Sequence, residues 1–553
     1  MNRYSTSAFV RIVGAGLCFL AATAAAELRN SENSFGIIPM PFSIESKKES
    51  PFEITGYTSI VYQGEKSKAC AKYLRSRIAA ATGLKLAVQE SGTLNAIILR
   101  IAPDIVEFHE HDAYSFKSSK DNVTITGKSD PGLFYGVQTL LQLLPPAVYG
   151  DTIQAGLELK VPAVSINDKP SMDRIRGLHV DLARHFRTKE ELFKIIDSMA
   201  MHKLNMLHIH LTDTQGWRVE IKAYPKLTTV GAIGNKTDPN APAKFLTQEE
   251  VKEISAYARS RYISIIPEIS MPGHMGAAIR AYPELNHPKD VKNLRFAIRG
   301  DAMARDFVKT VLTEINDLFD PVYIHLGVDE VNFGAKAELY TEAELVDFIK
   351  EITTFIKEEL KKTPIVWDDI FMHGLHDKDV VVQWWRYDRK YWWRNLKNTV
   401  DEELNQRQQP FIFSPAYWTY FDMPNVAPKE GHPGWAKPIS TAEVYNWDPF
   451  EDMFEVNEHT RDLALGAIAC TWSERIKTMK DFGDRTYPRL TGFSERLWSG
   501  GKSENPSVLA WPDYRDKVLI PYQLDRYDAL GVWYWSKDKP ELLLNLPDAR
   551  KRL

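Results

Sequence analysis

Beyond Ser171 the chain repeats a pattern that few folds accommodate: a short apolar run ends in a polar or aromatic side chain, often followed by an amphipathic stretch. The runs fall at 177–181, 206–211, 262–267, 322–328, 365–368, 380–384, 411–414 and 467–472. Helical spacing appears between several of them, at 189–202, 248–259, 305–318 and 342–360. Eight parallel strands with intervening helices predict an α/β chain with a (β/α)8 barrel, in preference to an open doubly wound sheet. The run ends carry chemistry. The first leads into Asp181, Arg184 and His185, the second into Asp213, and the third into Glu268 with His274 nearby. The fourth ends in Asp329 and Glu330, the fifth in Trp367, the sixth in Trp385, and the eighth in Trp472 and Glu474. In a barrel these C-terminal strand ends converge on one mouth, where barrel enzymes keep their sites. A single charged residue after a strand is ordinarily a helix cap or a solvated loop. The same feature at seven of eight ends points to a shared site.

The barrel is expected to span 171–500, preceded by a smaller α+β domain over 35–170 and followed by a helical extension over 501–553 packed on the barrel. In the smaller domain, Lys68 to Thr82 reads as a helix ended by Gly83, and residues 97–99 and 123–126 read as strands. After Asp130-Pro131-Gly132 a second helix is predicted, stopped by Pro145-Pro146, with a Pro-containing linker at 161–170. Nothing in this part suggests catalysis. Residues 1–26 have the charged, apolar, small-residue order of a signal peptide, so an exported protein, periplasmic or extracellular, is expected. Only Cys70 and Cys470 then remain, in different domains, which argues against a structural disulfide. A formal net charge of −4 gives no reason to expect nucleic acid, and no integral membrane association is expected.

Asp329 and Glu330 follow the apolar run directly. Two adjacent carboxyls in a shielded place favour protonation of one, the setting of a general acid; the bland alternative is a pair of acids at a helix N-terminus. Ordinary glycosidases bracket the sugar with two carboxyls roughly 5–9.5 Å apart on opposite sides of the bond. Neighbouring residues leave a strand in different directions and suit another division of labour. One protonates the leaving oxygen while the other contacts a substituent of the same sugar.

Eight segments, in order, carry a specific resemblance: 176–186 (RGLHVDLARHF), 203–218 (KLNMLHIHLTDTQGWR), 267–274 (PEISMPGH), 325–331 (HLGVDEV), 366–369 (VWDD), 383–385 (QWW), 420–422 (YFD) and 472–474 (WSE). The chain resembles glycoside hydrolase family 20, the β-N-acetylhexosaminidases, from Arg174 to about Ser499, and the segment before it resembles the family's N-terminal α+β domain. The resemblance implies a retaining, exo-acting enzyme that removes terminal β-linked N-acetylglucosamine or N-acetylgalactosamine from an oligosaccharide or glycoconjugate. It implies Glu330 as acid/base and Asp329 as holder of the 2-acetamido nitrogen, whose carbonyl oxygen attacks the anomeric carbon to give an oxazolinium intermediate. Tyr420 would bond that carbonyl oxygen. Arg184, Glu474 and Asp422 would hold the sugar hydroxyls, Trp367, Trp385 and Trp472 would wall the pocket, and Asp213 and His274 would support Glu330. Trp384 and Trp385 cannot both face the pocket on one strand, and spacing after Gln383 favours Trp385.

Three positions depart from the family pattern. Val328 stands in place of a Gly beside the catalytic pair, and Val is strongly disfavoured there if the backbone needs a positive φ. Thr214 and Ser270 replace acidic residues. Three rival readings are a carbohydrate-binding homologue without catalysis, a glycosidase pairing Glu330 with Glu268 or Glu474, and a metal-dependent hydrolase. The first has no reason to keep Glu330, Asp329 and Tyr420 together. The last draws on His179, His208, His210 and His325, which alternate along predicted strands without a clear converging ligand set, so neither a metal nor another cofactor is expected.

Overall fold

The computed structural model describes residues 35–546 except 105, 289–295, 299–301, 332–338, 387–389, 392–393, 396–407, 428–435, 453–457, 502–503 and 506–507; the expected signal peptide lies outside the described residues. Among them, eight parallel strands close into a barrel in chain order. They are β1 (Ile175–Asp181), β2 (Met206–Thr212), β3 (Ser264–Ile269), β4 (Tyr323–His325), β5 (Thr363–Trp367), β6 (Val381–Trp384), β7 (Phe411–Phe413) and β8 (Ala464–Thr471). The alternation in the sequence thus translates directly into the barrel.

The interior is layered. Ile175, Met206, Ile266, Ile365, Val381, Ile412, Leu465 and Ile468 form an apolar core cluster drawn from most of the strands. Burying side chains of this kind stabilises the fold by about 1.5–3 kcal/mol each. Nearer the C-terminal strand ends the interior turns polar. Register sets His179 beside His208, His210 beside Glu268, and Glu268 beside His325. Outside the strands, helices Lys189–Met201, Gln248–Arg259 and Glu342–Glu358 each begin with a capping box, from Thr188 and Glu191, Thr247 and Glu250, and Thr341 and Glu344. Each box satisfies backbone N–H groups that the first turn leaves unpaired.

Clustering of backbone contacts divides the chain into two compact units, one formed by residues through Ser171 with Trp498–Gly531, the other by Met172–Leu497 with Val532–Leu553. In the first unit a seven-stranded sheet runs edge to edge as Ser43–Ser46, Val164–Asp168, Tyr114–Ser118, Asn122–Gly127, Ala96–Ile101, Ser59–Gln63 and Ala87–Gln89. Helix Lys68–Thr82 ends at Gly83 (φ +77°), and helix Asp130–Leu143 starts at Ser129, whose side chain accepts from Gly132 N. No helix among the described residues is long and apolar enough to cross a membrane.

Two expectations need correction. The stretch 161–170 is no free linker: Val164–Asp168 pairs with Ser43–Ser46 on one side and Tyr114–Ser118 on the other. Alternating burial of Val164, Ile166 and Asp168 fits an interior strand, and the prolines at 162 and 170 merely bound it. The expected C-terminal extension, 501–553, divides between the two units. Arg526 donates to the carbonyls of Gly36 and Gln142, Ser499 Oγ donates to Met40 O, and the Trp498 indole N–H donates to Asp168, so Trp498–Gly531 completes the N-terminal unit. The barrel keeps only the last part, where Trp535 N donates to Tyr487 O.

Candidate active site

Arg184, after β1, is buried. It pairs with Asp181 (3.1 Å), Asp213 (2.7 Å) and Glu474 (3.7 Å), and its Nε donates to Gln215 (3.2 Å). Burial disfavours the guanidinium charge, but Asp213, Asp181 and Glu474 outweigh it and hold Arg184 charged more firmly than usual. Asp181 in turn accepts from the backbone N–H groups of Ala183, Arg184 and Ser473, so the strand ends of β1 and β8 are tied together at this point.

A line of alternating charge leads from there to the carboxylate pair. Asp213 Oδ2 lies 3.2 Å from His274 Nδ1, and His274 Nε2 lies 3.4 Å from Asp329 and 3.6 Å from Glu330. Burial opposes the charged form of both partners, yet Arg184, His274 and His210 hold Asp213 well below the usual carboxylate range. Asp213 and Asp329 likewise hold His274 well above the usual imidazole range. Asp329 and Glu330 differ sharply in setting. The Asp329 side chain is 17% exposed, whereas that of Glu330 is 68% exposed. Asp329 Oδ1 is buried with no protein hydrogen-bond partner among the described residues. Glu330 is raised above its ordinary pKa by partial loss of hydration at the barrel mouth and by the Asp329 charge, with His274 working against both. The shielded setting expected for the pair thus holds for Asp329, while Glu330 reaches into the mouth.

The aromatic residues converge on the same mouth. Trp367 and Trp472 have ring centroids 5.8 Å apart, Tyr420 lies 6.3 Å from Trp472, and Trp385 stacks at 6.3 Å on Tyr420. Trp384, by contrast, is buried in packing with its indole N–H on Arg386 O, as strand alternation predicts. Asp422 lies near Glu474. Burial and that neighbouring acid push it up to about 8, and its Oδ1 has no protein partner among the described residues. The structure thus brings together Arg184, Asp213, His274, Asp329, Glu330, Trp367, Trp385, Tyr420, Asp422, Trp472 and Glu474.

Other residues at the mouth escaped sequence reasoning. Asp369 accepts from the Trp385 indole N–H (2.8 Å), pairs with Arg386 (3.1 Å) and takes the Glu330 backbone N–H at 3.4 Å. Asp368, pushed up to about 7 by burial against the pull of Arg386, accepts from Trp385 N. The adjacent acids after β5 were the available signal. The histidine cluster is a further correction. His179, His208, His210 and His325 do converge, on Glu268, which is fully buried. Glu268 Oε2 lies 2.9 Å from His208 Nε2, 2.8 Å from His210 Nδ1 and 3.9 Å from His179 Nε2, and Trp367 Nε1 donates to Oε1 at 3.1 Å. Donor atoms around a tetrahedral zinc, each roughly 2.0–2.2 Å from the ion, lie about 3.3 Å apart. The two shortest contacts are tighter than that and match carboxylate–imidazole pairing. Glu268 is sealed beneath the aromatic wall, which removes it as a partner of Glu330 across a sugar.

Backbone conformation sharpens the site. His274 (φ +56°), Val328 (φ +73°) and Glu330 (φ +49°) all occupy the left-handed region, which β-branched residues rarely enter. Gly327 (φ +69°) is required: a Cβ there would meet Ser270 Oγ at 2.9 Å. The φ that disfavours Val at position 328 is thus present, and Val328 bears strain of about 1–3 kcal/mol. Val328→Gly relieves it while removing a buried side chain worth about 1.5–3 kcal/mol. The expected net change is therefore small, a loss of at most about 2 kcal/mol. Val180→Gly, in the unstrained interior of β1, is expected to cost much more. Thermal unfolding of both variants checks this, and equal losses would mean that Val328 carries no strain.

The chain matches the family model "Glycosyl hydrolase family 20, catalytic domain" over residues 174–501 and "Glycosyl hydrolase family 20, domain 2" over residues 34–169. A β-hexosaminidase of Porphyromonas gingivalis is 32% identical over 85% of this chain, which spans 61% of that protein's length. The solved GH20 β-N-acetylhexosaminidase of Streptomyces coelicolor superposes with a TM-score of 0.80 at 30% identity, covering 91% of this chain and 97% of that one. A mutant Streptomyces plicatus β-hexosaminidase in complex with its product, GlcNAc, gives 0.79 at 30% identity, covering 92% and 97%.

Proposed function

The chain belongs to glycosyl hydrolase family 20, and on that premise we propose that it is an exo-acting, retaining β-N-acetylhexosaminidase working by substrate assistance. The observation that carries the reading is the placement of Asp329 and Glu330. They are adjacent on one loop, one shielded and one reaching into the mouth, with a single imidazole within 3.6 Å of both. In this reading Glu330 gives its proton to the leaving oxygen and later takes one from water. Asp329 accepts the acetamido N–H and turns that group's carbonyl oxygen toward the anomeric carbon. Tyr420 bonds the same oxygen, and Trp367, Trp385 and Trp472 enclose the acetamido methyl and the sugar face. Arg184, Glu474 and Asp422 hold the ring hydroxyls, Asp422 as a donor when protonated. Asp213 orients His274. The charged, apolar, small-residue order of 1–26 supports an exported enzyme acting on oligosaccharide or glycoconjugate ends.

Proton NMR of a chitooligosaccharide digest tests the stereochemistry and the mode of attack together. Single N-acetylglucosamine units should leave the non-reducing end, each appearing first as the β-anomer, because two displacements at the anomeric carbon restore its configuration. Early α-anomer, or long internal fragments, would refute the reading.

A further inference from the structure

His210 sits where the buried histidine cluster meets the carboxylate pair's support. Its Nδ1 lies 2.8 Å from Glu268 Oε2, as an ion-pair contact rather than an aligned hydrogen bond, and its Nε2 makes a 3.2 Å hydrogen bond to Asp213 Oδ2. A neutral imidazole has one bare nitrogen lone pair, and here each ring nitrogen lies against a carboxylate oxygen. Two flanking carboxylates favour the ring protonated at both nitrogens. The other groups facing the ring are His179 (5.9 Å between centroids), the edge of Trp472 (5.0 Å) and the Asp181 carboxylate. Both clamping oxygens are shared: His208 Nε2 lies 2.9 Å from the same Glu268 oxygen, and Arg184 (2.7 Å) and His274 (3.2 Å) contact the same Asp213 oxygen.

We infer that His210 is a positioning residue for the reaction proposed above: an imidazolium clamped between Glu268 and Asp213 that fixes Asp213 Oδ2 as the acceptor for His274, and so fixes His274 under Asp329 and Glu330. The charges alternate along the line from Glu268 through His210, Asp213 and His274 to Asp329. Glu268 is the anchor, because Trp367 Nε1 and Ser270 Oγ hold its other oxygen at 3.1 and 3.4 Å. The rest of the cluster behaves as its packing requires. Burial drives His179 well below the usual imidazole range and His325 down to about 3, so both stay neutral. His210 goes the other way, to about 10, because Glu268 and Asp213 overcome the same burial. Of these three rings, His210 is the one driven toward the charged form, and it is the one that reaches Asp213.

The role makes His210 act only through His274, which a double-mutant cycle reads directly. His210→Asn and Glu268→Gln should each lower kcat by about tenfold or more with KM changed less than about threefold, within the couplings seen for residues of one network. In the His274→Ala background the same substitutions should cost less than about twofold. Losses that multiply independently of His274, or that fall on KM or on thermal stability alone, would overturn the proposal. A neutron structure of the wild-type protein covers the case in which the variants do not fold. Deuterium on both Nδ1 and Nε2 of His210 supports the clamp, and a bare nitrogen, or a metal ion between the rings, defeats it. The neutron result stands whether or not the protein cleaves N-acetylhexosaminides, so a failure of the functional reading is distinguishable from a failure of this one.

Discussion

Glu330→Gln lowers turnover of an alkyl β-N-acetylglucosaminide by roughly 10²–10⁴-fold, the usual worth of a general acid, without lowering thermal stability. The stability half follows from its position: the Glu330 side chain is 68% exposed and, among the described residues, pairs with no cation more closely than His274 at 3.6 Å. The activity half follows from its environment. The barrel mouth and the Asp329 carboxylate raise its pKa, so the protonated form persists to higher pH than for an ordinary glutamate. The alkaline limb of the kcat/KM profile then reports loss of that proton, and the limb disappears in the variant. Aryl glycosides, whose leaving groups need little protonation, lose far less in the first step. Equal small losses on alkyl and aryl substrates would remove Glu330 from the acid role.

Much of this arrangement was legible in the chain, because each barrel strand announces itself twice, by an apolar run and by the reactive residue at its end. The strand β4 shows the limit. Its run was read as continuing to Val328, but regular pairing stops at His325, because Gly327 and Val328 turn the backbone to positive φ. What the sequence concealed depended on register. His179, His208, His210, Glu268 and His325 come from four strands, and alternation says only that each might face inward. Their convergence on one carboxylate requires knowing that His210 sits beside Glu268 and Glu268 beside His325. The Trp498–Gly531 segment was misplaced for a related reason: helical periodicity reveals an apolar face but not which surface covers it. Its partners, Gly36, Met40, Gln142 and Asp168, are hundreds of residues away along the chain.

The largest effect is expected from removing the acetamido group of the substrate. A β-N-acetylglucosaminide or β-N-acetylgalactosaminide carries its nucleophile in the substituent on the neighbouring ring carbon, where attack closes an unstrained oxazolinium ring, and well-oriented intramolecular attack is worth up to about 7–11 kcal/mol over a bimolecular one. Among the described residues, the carboxylates weighed above as partners for Glu330 are otherwise engaged. Glu268 is fully buried beneath Trp367, Glu474 is engaged near Arg184 at 3.7 Å, and Asp329 is adjacent to the acid on the same loop. The matching β-glucosides should therefore be cleaved at a small fraction of the rate, even with activated leaving groups. In the proposed mechanism Asp329 supplies the orientation: its buried Oδ1 has no protein partner among the described residues and suits the acetamido N–H. Asp329→Asn keeps the shape but replaces the carboxylate with a neutral amide, so it should slow N-acetylhexosaminide cleavage by orders of magnitude. It should also weaken binding of a thiazoline that mimics the cyclic intermediate, while leaving the slow β-glucoside rate nearly unchanged. Rates for the two substrate series and inhibition by the thiazoline, measured on wild type and variant, decide the matter. Comparable rates with and without the acetamido group, or a sugar ester trapped on an enzyme carboxylate, would rule substrate assistance out.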